Sequence, residues 1–349
     1  MTRLLLRAAG LLSVVCAVLI VGVITIGKVL PGVGQLIYFS RYSQPGVIQL
    51  GGERGSLQAL DLATGISTPI VSQGVTGSFA LSPDSRQITL YWGGGIPQVY
   101  VVNVDGSNLR RMDNTDLVIV GWMPDSTQVL TSDLIRGTVQ RINVNDFSRE
   151  TLTQFESLCA FVLSPDGQYM AYQTVQSFSP PMNARLCAGI SISRLDGDEL
   201  HTYLSNVQQI FAVWSPDSQQ IALLNNFALY ILPDVTQDTL LEVRDVRMFV
   251  PISTLAWSQD STRVAFSADI TFDIYVVPVR PQLGQAVNLT PNTPSQEFNP
   301  VWLPSGHELV FTSTRDSLNG EIYIMRDDGT NVRRLTVNRN REQGLVWLP

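Results

Sequence analysis

The sequence predicts an all-β fold, a seven-bladed β-propeller with ring closure by the C-terminal strand, preceded by one N-terminal transmembrane helix. Three observations predict it. A turn motif built on Ser-Pro-Asp-Ser recurs six times and begins again in the last residues. Each copy is followed by short alternating runs rich in β-branched and aromatic residues. The first unit lacks a strand that the last residues of the chain can supply.

The clearest copy of the motif is Ala212-Val213-Trp214-Ser215-Pro216-Asp217-Ser218. It returns as Ala80 to Ser85, Gly121 to Ser126, Val162 to Gly167, Ala256 to Ser261 and Val301 to Gly306, and Val346 to Pro349 starts it again. The proline or its replacement stands at 83, 124, 165, 216, 259, 304 and 349, giving spacings of 41, 41, 51, 43, 45 and 45 residues. A period in the forties points to a propeller or a solenoid. Ser, Pro, Asp and Ser or Gly in that order suit a type I turn, because proline presets φ at the second position and Asp tolerates the third. After the turn comes a run such as Glu308-Leu309-Val310-Phe311-Thr312, then a second such as Ile322-Tyr323-Ile324-Met325, echoed by Val99-Tyr100, Leu229-Tyr230 and Ile274-Tyr275. Such pairs fit strands. A turn such as Asp105-Gly106, Asp196-Gly197 or Asp328-Gly329 then leads to a fourth strand ending in Leu152-Thr153, Leu289-Thr290 or Leu335-Thr336. Four antiparallel strands joined by tight turns make one blade.

Taken in order, residues 1–7 are a short tail and residues 8–27 an uncharged stretch of twenty, long enough to cross a bilayer as a helix. Arg3 and Arg7 precede it and Lys28 follows, which favours a cytoplasmic N-terminus and an exported remainder. The run is longer than a signal peptide normally carries, so a retained anchor is expected. Residues 28–35 form a linker with Pro31, Gly32 and Gly34, and the propeller is expected to fill 36–349. In the first unit, Leu36 to Ser40 reads as a second strand, Ser56 to Leu62 as a third and Ser67 to Val71 as a fourth. Gly344 to Pro349 supplies the first, and joining the two ends removes an exposed sheet edge.

The third full unit is irregular. Its excess length falls in 175–186 and reads as a long loop between the second and third strands. Cys159 and Cys187 lie at the same end of this blade. In an oxidising compartment they either form a disulfide that pins the loop or stand as two buried thiols on separate strands.

These residues resemble the TolB-like (WD40-like) β-propeller repeat family, whose blades read aromatic-Ser-Pro-Asp-Gly, an apolar strand, Ile-Tyr, Asp-Gly and Leu-Thr. Residues 301–336 match every element except that Ser305 stands where Asp is usual, and the resemblance covers about 36–349. It implies the architecture and leaves the function open, because one superfold hosts many activities. Set against TolB itself, the expectation is seven blades rather than six, no small α/β domain of the kind that precedes the TolB propeller, and an apolar N-terminal stretch that is kept.

With 44% hydrophobic and 15% charged residues, the chain can bury a sizeable core. Beyond residue 28 it carries 20 basic against 30 acidic residues, a formal charge of −10. That balance argues against nucleic acid or anionic lipid as the main partner of the folded part.

No catalytic set, metal site or cofactor is predicted. His201 and His307 stand in no metal-ligand spacing with Cys, Asp or Glu, and no Gly-x-Ser-x-Gly elbow occurs. Asp84, Asp125, Asp166, Asp217 and Asp260 hold a fixed place in turns, and Trp122, Trp214, Trp257, Trp302 and Trp347 stand at strand ends where they serve the core. Candidate binding residues are the non-repeating ones on the face that carries the connections between second and third strands. They are Trp92 beside Gly93-Gly94-Gly95, Arg136, Phe178 in the insertion, and Arg315 with Asp316. The expected function is a membrane-anchored, extracytoplasmic, non-enzymatic scaffold for a protein or cell-envelope component. The alternative is an extracytoplasmic polysaccharide lyase or hydrolase acting in the propeller funnel.

Overall fold

The computed structural model describes residues 35–41, 55–92, 98–112, 118–133, 136–156, 158–179, 184–195, 199–204, 211–224, 228–243, 255–268, 272–291, 293–337 and 340–348. The expected anchor at 8–27, the tail before it and residues 28–34 of the linker lie outside the described residues. Among the described residues no helix is long and apolar enough to cross a membrane. All the regular structure described is β.

The chain opens with β1 (Gln35–Arg41), β2 (Gly55–Asp61), β3 (Ser67–Leu81), β4 (Gln87–Trp92), β5 (Gln98–Asn103) and β6 (Arg110–Arg111). A sheet of β7 (Val118–Trp122), β8 (Gln128–Asp133), β9 (Thr138–Asn143) and β10 (Arg149–Gln154) follows. The next holds β11 (Leu158–Leu163), β12 (Tyr169–Ser179), β14 (Ile190–Arg194) and β15 (Glu199–Tyr203), with β13 (Ala184–Cys187) paired to β12. Then come β16 (Phe211–Trp214) to β19 (Leu241–Glu242), with β17 (Ile221–Leu224) and β18 (Leu229–Leu232) between them. Another sheet contains β20 (Leu255–Trp257), β21 (Arg263–Ala268), β22 (Asp273–Pro278) and β23 (Val287–Asn288). The last contains β24 (Glu297–Trp302), β25 (Glu308–Ser313), β26 (Glu321–Arg326) and β27 (Arg333–Arg334). β28 (Arg341–Leu348) returns to the first sheet, whose strand order is β28-β1-β2-β3-β4-β5-β6.

Two details of this first sheet matter for the site. β28 runs antiparallel to β1, with Leu36 opposite Trp347 and Ile37 opposite Val346. β3 is a single strand of 15 residues that pairs with β2 through its first half and with β4 through its second, so Val75 stands opposite both Gly55 and Trp92. Around the molecule the first strands of successive units come side by side: β28 by β3, β3 by β7, β7 by β11, β11 by β16, β16 by β20, β20 by β24, and β24 by β28.

The second strand of each unit is apolar on both faces because a neighbouring sheet covers each side. Along β17, Ala222 and Leu224 pack with Val264, Phe266 and Val277 of the next sheet, while Ile221 and Leu223 pack with Ala171, Ile190 and Ile192 of the previous one. Phe266 and Phe311 are fully buried, each worth about 1.5–3 kcal/mol of apolar burial. The fourth strands are shorter than the sequence predicts: β6, β19, β23 and β27 are two residues each. Short polar edges resist pairing with other chains. The expected strand ends Leu289-Thr290 and Leu335-Thr336 lie beyond the ladders, where the Thr hydroxyls accept the N–H groups of Ile274 and Ile322 at 3.0 and 2.8 Å.

The recurring turn explains its own residues. The Ser hydroxyl donates to the Asp carboxylate two residues on, at 2.7 Å in Ser82–Asp84 and 2.6 Å in Ser164–Asp166, Ser215–Asp217 and Ser258–Asp260. The last residue of the turn has positive φ, at 58°, 60° and 57° for Ser126, Ser218 and Ser261. Glycine would fit there more easily. Serine instead uses its hydroxyl to lock adjacent units: Ser126 Oγ accepts the Asp84 N–H at 3.0 Å, Ser218 that of Asp166 at 3.0 Å, and Ser261 that of Asp217 at 3.1 Å. The strand-end tryptophans make a second lock. Trp122, Trp257 and Trp302 are buried and donate Nε1–H to the carbonyls of Ala80, Val213 and Ala256 in the preceding unit at 3.0, 3.0 and 3.2 Å.

The insertion at 175–186 is not a loop throughout, as its length suggested. β12 runs on to Ser179 and pairs antiparallel with β13, so the segment leaves the sheet as a hairpin whose tip, 180–183, lies outside the described residues. Cys159 and Cys187 are disulfide-bonded with their Cα atoms 6.0 Å apart. Cys159 occupies an irregularity in the β11–β12 register between Leu158 and Ala160, and Cys187 stands opposite Val175, so both cysteines flank the root of the hairpin.

Candidate functional site

Where β3 passes from one partner to the next, its register with β2 slips. Leu57 faces Val71 and Gly55 faces Val75, leaving Ser72, Gln73 and Gly74 opposite the single residue Ser56. A bulge of this kind bends the strand and re-aims its side chains. Here it walls a pocket of about 610 Å³ lined by Ser40, Gly55, Ser56, Ser72, Gln73, Gly74, Trp92 and Asn340.

Trp92 ends β4, opposite Val75 and Gln98. Its indole is seated on Gly74, whose φ is +90°. A Cβ at that glycine would come within 2.8 Å of the ring's Cε2 and Nε1. Tyr100 supports the ring with centroids 5.7 Å apart. On the opposite wall, Asn340 Nδ2 donates to Ser40 Oγ at 3.0 Å and Gln58 Nε2 to Ser56 Oγ at 2.8 Å. Ser72 and Gln73 are exposed and make no hydrogen bond through their side chains among the described residues. The described lining thus combines one indole with hydroxyls and amides and carries no charged side chain.

The other sequence candidates are not gathered here. Arg136 is exposed in the turn between β8 and β9, its guanidinium 3.5 Å from Asp133. The backbone of Phe178 lies in the extended part of β12, opposite Arg185, and its side chain lies outside what is described. Arg315 and Asp316 belong to a closed network in the last unit. Arg315 reaches Ser313 Oγ at 3.0 Å and the fully buried Glu297 at 3.2 Å, and its guanidinium lies 4.8 Å over the Tyr323 ring. Glu297 also accepts the hydroxyls of Thr293, Ser295 and Ser313. Asp316 accepts the Tyr323 hydroxyl and stands 3.5 Å from Arg334, which reaches the buried Glu321 at 2.7 Å. Burial, with the Asp316 hydrogen bond second, pushes the Tyr323 phenol well above its ordinary range. A buried carboxylate left unpaired is costly, so this arrangement secures the β25–β26 connection. Among the described residues no group of three or more His, Cys, Asp and Glu is placed to hold a metal ion.

Sequence reasoning singled out Trp92 but missed Ser40, Ser56, Ser72, Gln73, Gly74 and Asn340. One signal was present: Gly74 lies inside a strand run, where glycine marks a bulge or a close approach.

Sheets of four antiparallel strands, set side by side with their first strands in succession, define a β-propeller. Solved structures agree. The chain is similar to the β-propeller domain of the Trilobed protease from Pyrococcus furiosus, at 13% identity and TM-score 0.59, over 87% of this chain and 92% of that one. It is also similar to the acylaminoacyl peptidase from Pyrococcus horikoshii, at 14% identity and TM-score 0.61, over 87% of this chain and 51% of the peptidase, about half its length. TolB from Acinetobacter baumannii is among the similar structures at 15% identity and TM-score 0.48, over 93% of this chain and 86% of that one. No protein-family model matches the sequence, and no curated protein matches it significantly.

Proposed function

We propose that the protein is a seven-bladed propeller whose last strand closes the ring, held at the membrane by residues 8–27 with the propeller on the extracytoplasmic side. In this reading it is a non-enzymatic scaffold that binds a protein or another component of the cell envelope. The observation that carries the binding role is the pocket beside Trp92, a polar recess with an aromatic wall on the seven-stranded first sheet. Rigid scaffolds of this kind commonly present binding residues on their connections. Support for seven blades comes from the succession of seven first strands, β28, β3, β7, β11, β16, β20 and β24, each beside the next. The β28–β1 ladder supports closure. The uncharged stretch at 8–27 supports the anchor. The Cys159–Cys187 disulfide supports an oxidising, extracytoplasmic setting.

The test uses the full chain. After expression, the protein should remain in the membrane pellet through alkaline carbonate extraction, and a thiol-reactive, membrane-impermeant probe should label a cysteine introduced at Leu318 in intact cells. Bound to a support in detergent, the wild-type chain should retain an envelope component that Trp92→Ala does not. Release by carbonate, or protection of the Leu318→Cys thiol, would defeat the anchored, exported reading. Equal capture by the two forms would defeat the assignment of the site.

A further inference from the structure

We propose that the pocket between β1, β2, β3 and the end of β4 takes a short neutral oligosaccharide, an inference that names the ligand class for the binding role proposed above. A sugar ring is apolar on its C–H faces and polar around its rim, so its site needs a flat apolar surface beside groups that both donate and accept hydrogen bonds. The pocket offers that combination. Trp92 supplies the flat surface, and its ring is held in place by Gly74 and Tyr100 rather than free to collapse into the recess. Ser40, Ser56 and Ser72 supply hydroxyls and Gln73 and Asn340 supply amides, side chains that offer both donors and acceptors.

Part of this polar wall is already oriented. Asn340 donates to Ser40 Oγ, so the Ser40 proton is directed elsewhere, while Ser56 Oγ is fixed by accepting from Gln58 and donating to the Ser40 carbonyl at 3.4 Å. Ser72 and Gln73 face it from the bulge with their hydrogen-bonding capacity unspent among the described residues. A purely apolar ligand would strand these groups, and desolvating them without partners is unfavourable. The described lining carries no charged side chain to select an acidic sugar. The volume of about 610 Å³ lies inside the range of about 300–1,000 Å³ usual for small-molecule sites.

The experiment titrates the full chain in detergent with cellotetraose, maltotetraose, tetra-N-acetylchitotetraose and tetragalacturonate, reading heat and indole fluorescence. At least one neutral tetrasaccharide should bind and shift the indole emission. The affinity should weaken about tenfold or more in Trp92→Ala and in Gln73→Ala, and by no more than about threefold in Trp92→Tyr, which keeps an aromatic face. Gln73→Ala is exposed and should leave the melting temperature unchanged, so its loss of affinity reads the site rather than the fold. Binding by none of the neutral probes, binding indifferent to Trp92 and Gln73, or tighter binding of tetragalacturonate would each overturn the proposal. If no saccharide binds while the envelope component is still captured only by the Trp92 form, the ligand class alone is wrong. If that capture fails as well, the binding role falls with it.

Discussion

Removing residues 345–349 tests how far the two ends of the chain depend on each other. The truncation deletes Leu345, which is 7% exposed and packed with Leu36, Tyr38, Leu60, Leu303, Val310, Ile322, Ile324 and Leu335. Burial of one leucine contributes about 1.5–3 kcal/mol. It also removes the partners of Gln35, Leu36 and Ile37 along β1. Ladder hydrogen bonds at about 0.5–1.5 kcal/mol each add roughly 3 kcal/mol more. The sum, about 5 kcal/mol, rivals the whole stability of a typical domain at about 5–15 kcal/mol. Differential scanning calorimetry should show the melting temperature lowered by about 10–20 °C, using about 2–4 °C per kcal/mol for a large domain. Leu345→Ala should reproduce about 2–4 kcal/mol of the loss, because it leaves the ladder and opens a cavity. A truncated chain that melts within about 2 °C of the full one would refute the argument, since neither the cluster nor the ladder would then be supporting β1.

Three further outcomes are expected. Reducing the Cys159–Cys187 bond, or replacing both cysteines by Ser, should cost about 3–4 kcal/mol in the chain-entropy account for a closure of 28 residues, seen as a lower denaturant midpoint. Ser261→Ala should lose about 1–2 kcal/mol in denaturant titration because the Asp217 N–H loses its acceptor, and Ser261→Gly should lose less because glycine relieves the φ of 57°. Acid should destabilise the fold through Asp217 and Asp234. Burial raises the Asp217 carboxyl, but the Ser215 hydroxyl, the Gln219 N–H and Arg280 outweigh it, while Thr236 lowers Asp234 through its hydroxyl and its N–H. Both therefore sit below the ordinary 3.8, so their contribution is present above about pH 4 and is lost as pH falls through the folded values. Melting temperatures measured from pH 7 to pH 2 should fall at the acid end, less steeply in Asp217→Asn.

The repeat was legible because each of its residues answers a local demand that recurs in every unit. Ser82 and Asp84 hydrogen-bond within one turn, and Trp257 reaches a carbonyl one repeat away, so the period of the sequence is the period of the contacts. The role of Ser126, Ser218 and Ser261 in joining units was not legible, because a turn position that accepts either Ser or Gly looks permissive until the neighbouring Asp N–H is in view. The pocket was only partly legible for a related reason. Ser40 and Ser72 are separated from Asn340 by most of the chain and meet it because β28 pairs with β1 and β3 bulges opposite Ser56. Arg315 and Asp316 looked like free loop residues. The acids that hold Arg315 and Arg334, Glu297 and Glu321, begin strands and gave no sign of being buried.

The continuity of β3 bears on how the molecule comes apart. The other sheets are separate from one another in their ladders, so each has the means to open locally. β3 has no loop at its crossing point, so fraying that starts in β2 is passed along one backbone to β4, β5 and β6, and across β1 to β28. Seven strands holding both extremities of the described chain therefore make one cooperative block, whose amide protons should exchange together while those of the four- and five-stranded sheets exchange at their own rates. The Trp92 recess sits at the middle of that block, so a molecule lodged there would slow exchange on both sides of the crossing at once.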